Sequence, residues 1–219
     1  MASTFAPRLD VLPPPQRRLW DELAAVPGEF ALYGGTAIAL HLGHRQSADF
    51  DFFGTRAFAP AALTGSISFL APATITRQAP STLSVRLDRD GTVRVAFFGL
   101  PALPRLAPPL IAPGNGVHVA ALIDLAGTKA AVVQQRAEAR DYSDIDAIIR
   151  DGGIDLPAAL AAARALYGRS FNPQITLKAL SYFEDGNLPT LEPEVKGRLA
   201  AAARTVDLDD LPPIPPLPR

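Results

Sequence analysis

Two aspartates, Asp49 and Asp51, lie two positions apart within the apolar segment SADFDFF. On a β-strand, residues i and i+2 point to the same face, about 6–7 Å apart along the backbone. Phe50 and Phe52 then point together toward a core, while the two acids face outward. Neighbouring carboxylates repel each other unless a cation neutralises them, and their hard oxygens suit Mg²⁺ or Mn²⁺. An exposed edge strand whose polar residues face solvent would show the same alternation of polar and apolar residues.

A Gly-Gly-Thr segment precedes this acid pair and adds a second kind of chemistry. It follows the predicted strand FALY and opens the short predicted helix TAIALHLG. Glycine permits close approach to the backbone, and the free N–H groups at a helix N-terminus attract phosphate. Gly34, Gly35 and Thr36 are therefore candidate phosphate-binding residues. Arg45 and Ser47, just before the acid strand, are candidates for contacts with the same phosphates.

The whole segment YGGTAIALHLGHRQSADFDFF resembles the AbiEii/AbiGii toxin family of nucleotidyltransferases, which have a DNA-polymerase-β-like fold. The glycines, Arg45, Ser47 and both acids carry this resemblance. It implies an enzyme that moves an NMP from an NTP to an RNA 3′ end, such as that of a tRNA, or to a protein hydroxyl. Asp49 and Asp51 would be catalytic ligands of Mg²⁺ or Mn²⁺. It also implies the toxin of a toxin–antitoxin or phage-defence pair, with a separately encoded antitoxin.

Charged residues also interrupt the apolar faces of the helical second half. Lys129 lies in the middle of an apolar stripe, with Arg136 further along it. Burying a lysine without an anion is costly, so we expect Lys129 to bind phosphate; a lysine with its ammonium at the rim fits the same pattern. In the next helix Asp141 and Asp144 face inward. They are candidate catalytic residues, or else a helix cap and a partner of the arginine four positions earlier. Two patterns of the family that the chain resembles recur in these helices. D-L-x-x-x-K corresponds to Asp124–Lys129, and an R-x-x-x-R-D-x-x-D-like pattern corresponds to Arg136–Asp144.

The resemblance covers Phe30 to Ile149 and contains one departure. Many nucleotidyltransferases carry a third carboxylate on a later strand, and its natural place here is TVRVAFFGL, where Ala96 or a neighbour stands. Asp141 or Asp144 is the substitute that the sequence offers. The missing acid leaves two other functions open. One is a catalytically weak or inactive nucleotide-binding module that acts through a partner, and the other is a transferase that modifies a small molecule such as an antibiotic.

Strand-like segments dominate the first half of the chain and helical periodicity dominates the second. The tripeptide RDG between TLSVRL and TVRVAFFGL predicts a hairpin turn. We therefore expect an α+β (mixed α/β) architecture. It would have a nucleotidyltransferase-fold core at 1–119, a helical region at 120–210 that completes the active-site cleft, and a proline-rich extended tail at 211–219.

Composition limits the remaining possibilities. The chain has 219 residues, a formal net charge of −1 and no cysteine, which excludes disulfides and thiolate chemistry. Positive charge is concentrated between Thr76 and Leu106, where a polyanion or merely solvent could lie against it. The start MASTFAPRLD has no apolar h-region, and no run is long enough to span a membrane. We expect a cytoplasmic protein with no membrane partner.

Overall fold

Seven strands form one mixed sheet within residues 5–218, the part of the chain that the computed structural model describes. The strands are β1 (Phe30–Tyr33), β2 (Asp49–Gly54), β3 (Thr74–Ala79), β4 (Thr82–Asp88), β5 (Thr92–Gly99), β6 (Leu110–Ile111) and β7 (His118–Val119). Their order across the sheet is β3-β4-β5-β2-β1-β7-β6. Because β2 lies between antiparallel β1 and parallel β5, the strand that carries the acids is an interior strand. The alternative interpretation of SADFDFF as an exposed edge strand is therefore wrong.

The side chains of β2 alternate between the core and the outer face of the sheet. Phe50 and Phe52 are fully buried, and Phe52 stacks on Phe97 of β5 with ring centroids 5.3 Å apart. Asp49 and Asp51 are partly exposed on the opposite face. Burying a phenylalanine contributes about 1.5–3 kcal/mol, so the two rings fix the pleat firmly. The predicted orientation of the strand is confirmed.

Three helices accompany the sheet in the first half: α1 (Pro14–Trp20), α2 (Gly34–Leu42) and α3 (Pro60–Ser66). Gln16 of α1 is buried, and its amide donates to the carbonyl of Ala48 at 3.0 Å and to that of Thr92 at 3.3 Å. These two carbonyls lie at the start of β2 and of β5. Gln16 therefore links the beginning of β2, the strand that carries the two acids, to the beginning of its neighbour β5.

The predicted hairpin joins β4 to β5. Asp90 and Gly91 both have positive φ, 53° and 141°, as a tight turn between antiparallel strands requires. The Gly91 N–H donates to the Asp88 carboxylate at 3.1 Å. The guanidinium of Arg89 binds both oxygens of Glu22, at 2.6 and 2.7 Å. One arginine of the basic stretch therefore already has an acidic partner within the fold.

The contacts divide the chain into two units, of which the first comprises Met1–Pro104 with Pro108–Ala120 and the second Arg105–Ala107 with Ala121–Arg219. The second unit is helical. Its helices are α4 (Leu122–Val132), α5 (Ala139–Asp151), α6 (Leu156–Tyr167), α7 (Pro173–Ala179) and α8 (Pro193–Thr205). Within the described residues 5–218, no helix is both long and apolar enough to cross a membrane.

Two predicted helices are shorter than their sequence patterns indicate. The segment ALIDLAGTKAAVVQQRAEAR predicts a helix up to position 140, but α4 ends at Val132. Just beyond this end, the main-chain N–H groups of Gln134 and Gln135 form turn-type bonds to the carbonyls of Ala131 and Val132. The Gln134 side-chain amide donates to the Asn172 carbonyl and the Thr176 hydroxyl, both at 2.8 Å, and so holds this turn against α7. The segment PQITLKALSYFEDG predicts a second helix, but α7 ends at Ala179 and does not continue through SYFEDG.

Helices α4 and α6 approach each other closely at Gly127. A Cβ atom added there would lie 2.9 Å from backbone atoms of Ala162 and Ala163. Real Cβ atoms do not tolerate such a distance to rigid backbone, so the two helices would have to separate. Gly197 in α8 is different, because an added Cβ meets no atom within 4 Å.

Replacing these two glycines by alanine is expected to change stability in opposite directions. Gly127→Ala should lower the free energy of unfolding by about 1–3 kcal/mol through overpacking. Gly197→Ala should raise it by about 0.5–1 kcal/mol, because alanine restricts the unfolded chain and favours helix. Urea denaturation followed by circular dichroism measures both. Equal effects of the two substitutions would contradict the close α4–α6 packing.

Candidate active site

The glycine turn and the second acid are brought together by the pairing of β1 with β2. Tyr33, the last residue of β1, is the register partner of Asp51. The next residue, Gly34, has φ +71°, and a Cβ placed there would lie 3.1 Å from Oδ2 of Asp51. A side chain at Gly34 would thus be strained by its backbone conformation and crowded by the carboxylate. Glycine lets the Asp51 carboxylate lie directly against the start of α2.

The start of α2 also binds the beginning of β2. Thr36 is buried, and its hydroxyl lies 2.5 Å from the main-chain carbonyl of Asp49 and 2.8 Å from the Ser47 hydroxyl. These side chains are engaged within the protein, so a phosphate contact at Thr36 would have to come from its main-chain N–H. The guanidinium of Arg45 donates to the carbonyl of Gln46 at 2.9 Å. The sequence pointed to Thr36 and Ser47 as phosphate contacts but gave no sign that Thr36 joins α2 to β2.

The neighbours of the acid pair on β5 are an arginine and an alanine. Asp49 pairs in register with Arg94, and Asp51 pairs with Ala96. The Asp49 carboxylate accepts two hydrogen bonds from Arg94, from Nε at 2.8 Å and from Nη2 at 3.1 Å. Ala96, one of the positions at which the resemblance predicts a third carboxylate, therefore lies beside Asp51. Sequence reasoning assigned Arg94 only to a basic stretch and missed this contact.

The oxygens that face outward from β2 suit a hard divalent cation. Among residues 5–218, no cluster of three or more histidine, cysteine, aspartate or glutamate residues is arranged to hold a metal ion. Mg²⁺, however, is commonly bound through one or two protein carboxylates, with water and substrate phosphates completing its coordination. Asp49 and Asp51 provide that number of carboxylates, so the donor set fits Mg²⁺ or Mn²⁺.

The predicted site residues of the helical unit form a buried ionic cluster. Lys129 is 5% exposed, and its ammonium lies 2.5 Å from Oδ1 of Asp141 and 2.7 Å from Oδ2 of Asp144. Arg136 donates to both oxygens of Asp141, at 2.7 and 3.2 Å. The interpretation of Lys129 as a lysine at the rim is wrong, since its side chain is buried and pairs with both acids. Asp144 pairs with Lys129, whereas the guanidinium of Arg140 lies 3.9 Å from the carboxylate of Glu138.

The ionisation of Asp141 is controlled by this cluster. Burial alone would raise its pKa, but the hydrogen bonds from Arg136 together with the charge and hydrogen bond of Lys129 outweigh burial and hold the pKa of Asp141 below its usual range. The carboxylate is therefore charged at neutral pH although its side chain is fully buried.

Asp124, the acid of the D-L-x-x-x-K pattern, has a structural role. It is 1% exposed, and its two oxygens accept hydrogen bonds from the main-chain N–H groups of Leu106 and Ala107, at 2.9 and 3.1 Å. These bonds hold the segment Arg105–Ala107 in the helical unit. Local sequence gave no sign of this contact, because the partners lie in a proline-rich connector.

Residues 18–214 match the family model described as nucleotidyl transferase AbiEii toxin, type IV toxin–antitoxin system. The chain belongs to this family. It is thus a nucleotidyltransferase of a toxin family, as the sequence motifs indicate. A relative from Aquifex aeolicus (strain VF5), an uncharacterized protein, is 32% identical over 159 residues, which span 72% of this chain and 75% of the relative.

Two solved structures share the fold of this AbiEii-family chain at 17% sequence identity. One is MenT4, a nucleotidyltransferase toxin from Mycobacterium tuberculosis H37Rv, which aligns over 92% of this chain and 84% of its own with a TM-score of 0.57. The other is a proposed nucleotidyltransferase from H. pylori, which aligns over 87% and 90% with a TM-score of 0.54. Both confirm the predicted mixed α/β nucleotidyltransferase fold.

Removing the cation of the ionic cluster is expected to destabilise the helical unit strongly. Lys129→Met leaves Asp141 and Asp144 buried without their shared partner, which should cost about 3–5 kcal/mol of unfolding free energy. Lys178→Met, at an exposed position of α7, should change it by less than about 0.5 kcal/mol. Urea denaturation of both variants provides the measurement, and similar stabilities would show that the cluster does not form in solution.

The contribution of Arg136 to the ionisation of Asp141 is measurable by carboxyl-carbon NMR. Arg136→Gln should raise the pKa of Asp141, whereas Arg140→Gln, at an exposed neighbour, should not. Because the folded pKa is depressed, the stabilisation from this carboxylate is present above its unfolded pKa, about 3.9, and is lost as pH falls through the folded value. An unchanged pKa in Arg136→Gln would refute the assignment.

Proposed function

We propose that this chain is a metal-dependent nucleotidyltransferase that moves an NMP from an NTP to an acceptor hydroxyl, on an RNA 3′ end or on a protein. The observation that carries the proposal is the Asp51 carboxylate lying against Gly34 at the N-terminus of α2, with Asp49 on the same face of β2. A phosphate-binding helix start and a pair of oxygen ligands are thereby neighbours in one unit.

In this proposal the triphosphate lies on the main-chain N–H groups of Gly34, Gly35 and Thr36. These groups have no helical partner within the first turn of α2, and the helix dipole favours the anion. Asp49 and Asp51 would be the protein ligands of Mg²⁺ or Mn²⁺. When bound, the cation neutralises charge on the leaving pyrophosphate and aligns the attacking oxygen. Arg45 and Ser47 remain predicted contacts of the nucleotide.

Lys129, Asp141 and Asp144 remain predicted catalytic residues, with Lys129 acting on phosphate. Their mutual ion pairs give each of them a structural role as well. Asp144→Asn preserves the shape of the side chain and removes its charge, and it separates the two roles when activity and unfolding are measured on the same preparation. Lost transfer in a folded Asp144→Asn protein would support the catalytic assignment.

The test of the acid pair is transfer of label from α-³²P-NTP to RNA or protein. The double variant Asp49→Asn, Asp51→Asn should reduce transfer by at least about 100-fold, because several kcal/mol of charge stabilisation are removed. Asp90→Asn is the matched control, since asparagine tolerates the positive φ of that hairpin position. Undiminished transfer by the double variant would disprove the metal assignment.

A nucleotide-binding module without catalysis is the second candidate, favoured by Ala96 beside Asp51 where a third acid would stand. It predicts that the wild-type protein binds NTP with Mg²⁺ but releases no pyrophosphate in the presence of RNA, proteins or small-molecule acceptors such as antibiotics. Pyrophosphate release that depends on one acceptor class would reject this candidate and identify the acceptor.

The biological role that we propose is that of a toxin restrained by a separately encoded antitoxin. Membership in a family described as type IV toxins supports it. Expression of the wild-type chain should then arrest growth of its host, while the double variant Asp49→Asn, Asp51→Asn should not. Co-expression of the neighbouring gene should restore growth if that gene encodes the antitoxin.

A further inference from the structure

Arg94 makes a bidentate contact with one of the two acids proposed to hold the cation. Its Nε lies 2.8 Å from Oδ1 of Asp49 and its Nη2 lies 3.1 Å from Oδ2. The contact follows from strand register, because Arg94 of β5 is the direct partner of Asp49 of β2 in the parallel pair. Both oxygens of Asp49 therefore already interact with a positive charge.

The surroundings of Arg94 direct it toward Asp49. On its other side, the register partner of Arg94 is Arg86 of β4. Like charges directly opposite each other on neighbouring strands repel, whereas opposite charges attract. Arg94 is thus disfavoured on the β4 side and favoured on the β2 side. The side chain of Arg94 is 69% exposed and that of Asp49 is 35% exposed, so the guanidinium can leave the carboxylate without disturbing the core.

We propose that Arg94 is a built-in counter-cation that competes with the divalent metal ion for Asp49. This inference rests on the proposed function, in which Asp49 and Asp51 are the metal ligands. A guanidinium fork matches both oxygens of a carboxylate, so a metal ion can use Asp49 fully only after Arg94 has moved away. Arg94 therefore lowers the affinity of the nucleotide-free protein for the cation.

The competition is tested by Mn²⁺ binding to the nucleotide-free protein at low ionic strength, followed by the EPR signal of free Mn²⁺. The variants are Arg94→Gln and Arg86→Gln. Each removes one positive charge from the same face of the sheet, but Arg86 lies one strand farther from Asp49. Arg94→Gln should bind Mn²⁺ about two- to fivefold more tightly than Arg86→Gln, the range expected for one solvent-accessible ion pair.

Two results would overturn the inference. Equal Mn²⁺ affinities in the two variants would show that only overall charge matters. Weaker binding in Arg94→Gln would show that Arg94 orients Asp49 for the metal ion instead of competing with it. Because the side chains of Arg94 and Arg86 are both exposed, both variants are expected to fold, and circular dichroism together with the melting temperature checks this.

Asp49→Asn in the same assay separates this inference from the proposed function. If Asp49→Asn abolishes Mn²⁺ binding while Arg94→Gln fails to strengthen it, only the role of Arg94 is wrong. If Asp49→Asn binds Mn²⁺ as well as the wild type, the metal site itself is wrong and both proposals fail. If the nucleotide-free wild type and Arg94→Gln both bind no Mn²⁺, Arg94 is not what limits the affinity and the inference about Arg94 is wrong.

Discussion

The interior position of β2, between β1 and β5, is the constraint on which the rest of the site depends. Neighbours on both sides complete its backbone hydrogen bonds and fix its register. With that register Phe50 and Phe52 fill the core, and Asp49 and Asp51 must face outward. A shift of one residue would bury the acids and expose the rings, so core packing and the chemistry of the strand are a single requirement.

Local pattern was sufficient to predict the faces of β2, the glycine turn and the Asp-Gly hairpin, because each is decided by a few adjacent residues. The pairing of Asp49 with Arg94 could not be predicted in this way. It joins segments 45 positions apart (94 minus 49), and alternation within each strand says nothing about which strands become neighbours. The sequence did indicate Ala96 or a neighbour as the place of the missing acid, and the strand register shows that Ala96 is the residue beside Asp51.

The helical unit shows the same division between local and tertiary information. Helical periodicity indicated correctly that Lys129, Asp141 and Asp144 face inward, but it did not reveal that they face one another. It also extended α4 too far, because the residues after Val132 form turns whose side chains bond to other segments, as Gln134 does to Asn172 and Thr176. Each buried charge is tolerated only because of its partners. The effects of substituting these residues on the free energy of unfolding will therefore not be additive.

The hydroxyl contacts of Thr36 affect how much conformational entropy the proposed site would lose when a nucleotide binds. They join the first turn of α2 to the first residue of β2, across a gap of 13 positions (49 minus 36). The turn that we propose to bind phosphate and the acid strand are thereby joined before any nucleotide is present. A nucleotide that binds there need not order these elements, so little of its binding energy is lost as conformational entropy and more remains for aligning the reacting groups.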